Sequence, residues 1–245
     1  MADGERAAGT GGSRSGAKAV IEVERAGPVG VIRLNRPEKA NAYNQALLDQ
    51  LAAAINTMHD AAVVVICATG KTFCAGADLD EMAGRRARGD WQAALGLRSQ
   101  AVFTALARAP FVSIASVQGA AIAGGFELAL ACDLRIVGPA ARFSLPETRL
   151  GIVPSAGGLT RLARLCGVSV AKGVVLGGGT LNADDALRIG LVHRAGDNAA
   201  AMSWAQELAD RDATAQTRAK ERIDALESDL ALDLERAAQA GLYRA

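Results

Sequence analysis

The sequence predicts an α/β fold with parallel strand pairing, and three observations carry that expectation. Two short runs rich in β-branched and small residues, AVVVICA (62–68) and FVSIASV (111–117), read as strands, the first of them buried on both faces. Each is followed by a longer segment with helical character. A third strand, DLRIV (133–137), extends this strand, helix, strand order, which supplies the crossovers that parallel pairing requires.

The elements follow in order. Residues 1–17 are rich in Gly, Ala and Ser and lack an apolar signal-peptide core, so a disordered tail is expected there. Residues 19–25 and 29–34 read as paired strands across a Gly27-Pro28 turn. A helix should follow, capped by Asn41 or Asn44, with Leu47, Leu48, Leu51, Ile55 and Met58 on one face. The polar stretch LDEMAGRRARGD (79–90) reads as an exposed loop. A helix over 91–108 leads to Pro110 and the strand 111–117. Glycines then precede a helix carrying Glu127, and the last third is mostly helical. There Ile223, Leu226, Leu230 and Leu234 keep a stripe in a charged background, as on a helix packed against a core or another subunit.

A chain of 245 residues suits one large domain, or one domain with a helical appendage. Hydrophobic residues make up 50% and aromatics only 4%, so the core must come from Ala, Val, Leu and Ile. The net charge of +1 and the lack of a Lys/Arg block argue against nucleic acid or an anionic membrane as partner. The uncharged run 109–126 approaches membrane-span length, but Pro110, Ser113, Ser116, Gln118 and three glycines favour strand, turn and helix start. Cys67, Cys74, Cys132 and Cys166 form no C-x-x-C, and His59 and His193 lie far apart in sequence. Reduced, buried thiols in a soluble cytoplasmic protein without a metal site are expected.

ATGKTF (68–73) imitates the end of a P-loop, but the glycine needed five residues before Gly70 is Val65, inside a strand. Two other turns share a pattern. FCAGADL (73–79) and QGAAIAGGFELAL (118–130) each place small residues after a strand, where backbone N–H groups can face a ligand closely. Two such amides aimed at one spot would form an oxyanion hole.

Glu127 is the one charged residue between Arg108 and Asp133. Its position suits a helix dipole, yet that effect is worth only about 1 kcal/mol and needs no apolar surroundings. Glu147, after Pro146, has a structural alternative as a turn carboxylate paired with Arg149. Two carboxylates in one semi-buried site could instead have their pKa values pushed apart, one serving as base and the other as acid.

LNRPEKANAYN (34–44), FCAGADLDEM (73–82), VQGAAIAGGFELALACDLRIV (117–137) and ARFSLPETRLGIVPSAGGLTRL (141–162) together resemble the crotonase superfamily, most closely enoyl-CoA hydratase. The match runs over roughly residues 20–240 in the same order. The resemblance implies a crotonase-type spiral of ββα repeats over 18–182, and a helical region over 183–245 that builds homotrimers or hexamers. It implies Glu127 and Glu147 as catalytic, with Glu127 mainly the base and Glu147 mainly the acid. It also implies the backbone N–H groups of Ala77 and Gly124 as the oxyanion hole. Ala77, Asp78, Leu79 and Asp80 would lie along a coenzyme A thioester, which is substrate, so no separate cofactor is implied.

The reaction so implied is addition of water to a trans-2-enoyl-CoA, as in fatty-acid metabolism. Isomerisation, decarboxylation or retro-aldol cleavage of a CoA thioester are the alternatives on such a scaffold, and a non-catalytic binding protein, RNA-binding among them, is a more distant one. Ala123 stands where hydratases often have the first of three glycines, and the bulky Phe126 beside Glu127 is expected to reshape the pocket. Ser155 replaces a frequent Gly near the water, and Asp80 a frequent Lys near the cofactor phosphates.

Overall fold

A computed structural model describes residues 19–87, 91–225 and 229–242. The expected tail over 1–17 lies outside the described residues. Strands β1 (Ile21–Ala26) and β2 (Val29–Leu34) form the expected antiparallel hairpin, with Ala26 opposite Val29. Helix α1 (Gln45–Thr57) follows, and Asn44 rather than Asn41 caps it, its side chain accepting from Leu47 N at 2.9 Å. Asn41 has another task. It is buried in a left-handed conformation, accepting from Arg36 N and donating to Thr69 O and Thr72 O.

Strands β3 (Val63–Ala68) and β4 (Thr72–Cys74) come next, then α2 (Leu79–Ala87) and α3 (Trp91–Ala107). The pattern repeats with β5 (Val112–Val117), β6 (Ala120–Ile122) and α4 (Gly124–Ala131), and again with β7 (Leu134–Val137), β8 (Arg142–Ser144) and α5 (Gly158–Cys166). In each turn the first strand joins one sheet and the second joins another. The larger sheet runs β1-β2-β3-β5-β7-β10, where β10 is Arg194–Ala195. The smaller runs β4-β6-β8-β9, where β9 is Leu181–Asn182. All pairs are parallel except β1 with β2 and β8 with β9. This is a spiral of ββα repeats. The run 109–126 divides into a strand and a helix start, β5 and α4, as expected, but the short strand β6 lies where only a turn was expected.

The two-residue period of β3 explains its continuous apolarity. Val64 and Ile66 point into the main core with α1 and α3, while Val63, Val65 and Cys67 face α8 (Asn198–Ala209), against Trp204, Ala205 and Leu208. Burying each such aliphatic side chain contributes roughly 1.5–3 kcal/mol. The remaining helices are α6 (Val168–Val175), α7 (Ala183–Arg188), α9 (Ala213–Asp224) and α10 (Asp229–Leu242).

Two sequence expectations need correction. Residues 79–87 are helical, not a loop. Asp78 Oδ1 accepts from Asp80 N and Glu81 N, and Glu81 pairs with Arg85 one turn on, so local capping and an i,i+4 pair offset the polar composition. The stripe from Ile223 to Leu234 spans two helices and faces solvent at Ile223 and Leu234, which rules out one continuous helix packed on this chain's core. Leu226 lies outside the described residues. No helix among the described residues is long and apolar enough to cross a membrane.

Candidate active site

Parallel pairing of β4 with β6 brings the two small-residue turns together, because the segments leaving both strands emerge at the same edge. The turn after β4 is held by the loop before α1. Tyr43 N donates to Gly76 O at 2.8 Å and Asp78 N donates to Tyr43 O at 2.9 Å, with Ala77 bridged to Tyr43. After β6, Ala123 N donates to Ser144 O on β8, and α4 begins at Gly124. As the first helical residue, Gly124 has an N–H with no partner inside the helix. A Cβ at Gly124 would strike the Tyr43 hydroxyl, so only glycine lets the ring lie over this turn.

Ala77, Gly124, Glu127 and Glu147 line one cavity of about 270 Å³. Leu79, Met82, Leu95, Leu150, Ile152 and Val153 make most of its wall apolar. Leu79 of the expected ligand-binding stretch is in this wall. The side chains of Asp78 and Asp80 have other partners, Asp78 a buried ion pair with Arg36 at 3.0 Å and Asp80 an exposed one with Lys39 at 2.5 Å. The Arg36 guanidinium and the capping N–H groups hold Asp78 below its ordinary pKa against the opposing effect of burial.

Glu127 is 3% exposed, in the first turn of α4. One oxygen, Oε1, accepts from Ala156 N at 2.8 Å and Gly158 N at 2.9 Å, just at the N-terminus of α5. A Cβ at Gly158 would come within 2.9 Å of Glu127 Cγ and Oε1, so the contact needs a bare backbone. Burial, with the charges of Glu235 and Glu147 added, pushes the Glu127 carboxyl up to about 8, against the two N–H bonds. Glu147 begins a 3₁₀ turn, Glu147–Leu150, and is 6% exposed. Burial pushes its carboxyl up to about 7, and its Oε2 has no hydrogen-bond partner among the described residues. Arg149 does not pair with it. Arg149 donates instead to Gly178 O, and Thr148 Oγ1 to Val175 O, which pins the turn.

Phe126 does not line the pocket, contrary to the expected reshaping. It is fully buried in the core, 5.0 Å from the ring of Phe143, because α4 directs Glu127 and Phe126 to different sides. Ser155 does line the cavity. Three site residues escaped the sequence reading. Tyr43 and Ser99 line the cavity, and burial raises the Tyr43 hydroxyl well above its usual pKa. Glu235 reaches the loop behind Glu127 from α10. Tyr43 was within reach, since it lies in one of the four matching segments.

A larger cavity, about 430 Å³, lies beneath α9. Its Lys220 is bound to Asp133 and Phe111 O, and Gln216 to Leu208 O. Those groups tie α9 to α8 and to the segments that enter β5 and β7, so the smaller cavity with its two raised carboxylates is the better seat for acid–base chemistry.

Fold and site together are those of a ββα-spiral protein with an acid–base pocket. A family model described as enoyl-CoA hydratase/isomerase matches residues 24–245, and the chain belongs to this family. It is 37% identical over 201 residues to the short-chain-enoyl-CoA hydratase of Clostridium acetobutylicum, covering 78% of this chain and 74% of that one. It is 39% identical over 225 residues to the 2,3-dehydroadipyl-CoA hydratase of Escherichia coli, covering 90% and 85%. The crystal structure of an enoyl-CoA hydratase from Bacillus anthracis superposes with a TM-score of 0.79 at 33% identity, covering 92% and 90%.

Proposed function

We propose that the protein adds water across the C2=C3 bond of a trans-2-enoyl-CoA thioester. The observation that carries this reading is one apolar cavity lined by two buried carboxylates and by both small-residue turns. The N–H groups of Ala77 and Gly124 would donate to the thioester oxygen and polarise the conjugated C=O, making C3 electrophilic. A water held between Glu127 and Glu147 attacks C3 while one carboxylate takes its proton and the other delivers a proton to C2. The atoms balance without a further cofactor, coenzyme A being part of the substrate.

Glu127 acts mainly as base and Glu147 mainly as acid. Burial raises both carboxyls, Glu127 to about 8 and Glu147 to about 7, so near neutral pH the pair can hold one proton between them, as the reaction needs.

Crotonyl-CoA tests this reading with the wild type, Glu127→Gln and Glu147→Gln, by following the loss of the conjugated enoyl absorbance. The wild type should hydrate it, and each variant should lose roughly 10²–10⁴ in rate. Full activity in either variant removes that residue from the chemistry. A wild type that moves the double bond without adding water makes the protein an isomerase.

We also infer a cytoplasmic trimer or hexamer built through the C-terminal helices. The exposed Ile223 and Leu234, 66% and 61% accessible, support such a contact. Sedimentation of the purified chain as a monomer would overturn it.

A further inference from the structure

Five successive N–H groups, Ala156 to Thr160, are divided between two carboxylates from different helices. Ala156 N and Gly158 N donate to Glu127. Gly157 N donates to Glu235 Oε1 at 2.9 Å, with Leu159 N at 3.3 Å, and Thr160 gives Oε2 both its N at 3.0 Å and its Oγ1 at 2.8 Å. Glu235 is itself buried, 5% exposed, and burial raises its carboxyl against the bonds from Gly157, Leu159 and Thr160 that favour its ionised form. We propose that Glu235 of α10 is a positioning residue of the site, fixing the start of α5 so that its alternate N–H groups grip Glu127.

The geometry of the segment supports this. Gly157 adopts φ 100°, where its N–H can turn away from those of Ala156 and Gly158. From the other side, buried Arg161 donates to Ala156 O at 3.0 Å. Helix α10 is in turn anchored to α3, where Gln100 Nε2 donates to Leu232 O at 3.0 Å and Arg236 to Gln100 Oε1. The C-terminal helix therefore reaches the reacting carboxylate through one side chain and one backbone segment.

Glu235 also acts through its charge. It stands in a group of buried ionisable side chains with Glu127 on α4, Glu147 on the 3₁₀ turn and Tyr43 before α1, with Arg161 of α5 behind the loop. Its negative charge opposes ionisation of both Glu127 and Glu147. Removing that charge lowers both pKa values.

The proposal rests on the catalytic reading of Glu127, so the test includes Glu127→Gln in the same crotonyl-CoA assay, with Glu235→Ala and Glu235→Gln in the full-length chain. Misplacing the grip should lower kcat of Glu235→Ala on the order of 10–100-fold with KM changed less than about threefold. Glu235→Gln keeps an acceptor oxygen and the shape, so it should recover much of kcat, while both limbs of its pH profile move about 0.5–1 unit toward acid. The Gln variant also covers the case in which the Ala variant does not fold. Wild-type kcat and an unmoved pH profile in folded Glu235 variants, beside an inactive Glu127→Gln, would overturn the positioning role alone. An active Glu127→Gln would overturn the reading beneath it.

Discussion

Glu127 and Glu147 face the same cavity with unequal grips, Oε1 of the first accepting two backbone N–H bonds and Oε2 of the second accepting none among the described residues. Burial dominates both, and their carboxyls rise to about 8 and about 7. Hydration needs one of them ionised and the other protonated. Below the lower value both are protonated and no base exists; above the higher value both are ionised and no acid exists. The profile of kcat/KM with crotonyl-CoA should therefore be bell-shaped, with its maximum between about pH 7 and 8. A rate that is flat from about pH 5.5 to 9.5 would contradict the pairing.

The same shift has a consequence for stability. A carboxyl raised in the folded state retains a proton that the unfolded chain has already released. Its contribution is fully present below the unfolded pKa near 4.5 and is lost as pH rises through about 8. Glu127→Gln keeps the acceptor oxygen and removes the buried charge. Its stability should match the wild type near pH 5 and exceed it near pH 9 by on the order of 1–3 kcal/mol, seen as a higher melting temperature. Glu147 and Glu235 are raised as well, so part of the alkaline decline should remain. Equal melting curves at pH 9 would show that Glu127 carries no burial cost.

What the sequence disclosed divides along physical lines. Strands β3 and β5 were legible because both of their faces are buried, which forces a continuous apolar run. Strands β4, β6 and β8 were not, since each has three residues and is fixed by pairing between distant segments. Helix α2 was hidden by charges that solvate one face while Asp78 caps its start. Glu127 stood out as a charge in an apolar run, whereas Glu235, in LALDLERAA, looks like any solvated position on a charged helix. Only the docking of α10 against α5 buries it. Glu147, Ala77 and Gly124 were singled out by resemblance to known sequences; the residues alone offered just modest signals.

Arg135 supports the helix that carries Glu127. It is 1% exposed and donates to four carbonyls: Leu191 O at 2.7 Å, Ala129 O at 3.1 Å, Cys132 O at 2.6 Å and Asp133 O at 3.3 Å. Three of these lie at or just beyond the end of α4, where carbonyls lack helical partners. Arg135→Met should cost about 2–4 kcal/mol, seen as a melting temperature lower by roughly 5–15 °C. Arg135→Lys should recover little, because an ammonium cannot span the same fork of acceptors. A Lys variant as stable as wild type would show that the charge alone suffices.

Ala123 occupies the residue before α4 with φ 52° and ψ −127°, a conformation that side chains with a Cβ seldom adopt. Its position is over-determined: its N–H is held by Ser144 O, its C=O accepts from Phe126 N and Glu127 N, and β6 fixes the approach. Strain of this kind costs on the order of 1–3 kcal/mol. Glycine would relieve it but add freedom to the unfolded chain, worth roughly 0.5–1 kcal/mol in the opposite direction. The strain term is the larger, so Ala123→Gly should raise stability by about 0.5–1 kcal/mol, measured by denaturant unfolding at constant m-value. Ala123→Val, β-branched at the same φ, should lower it by more than that gain. An Ala123→Gly protein less stable than the parent would mean that the alanine rests there without strain, and that the unfolded-state entropy decides the balance.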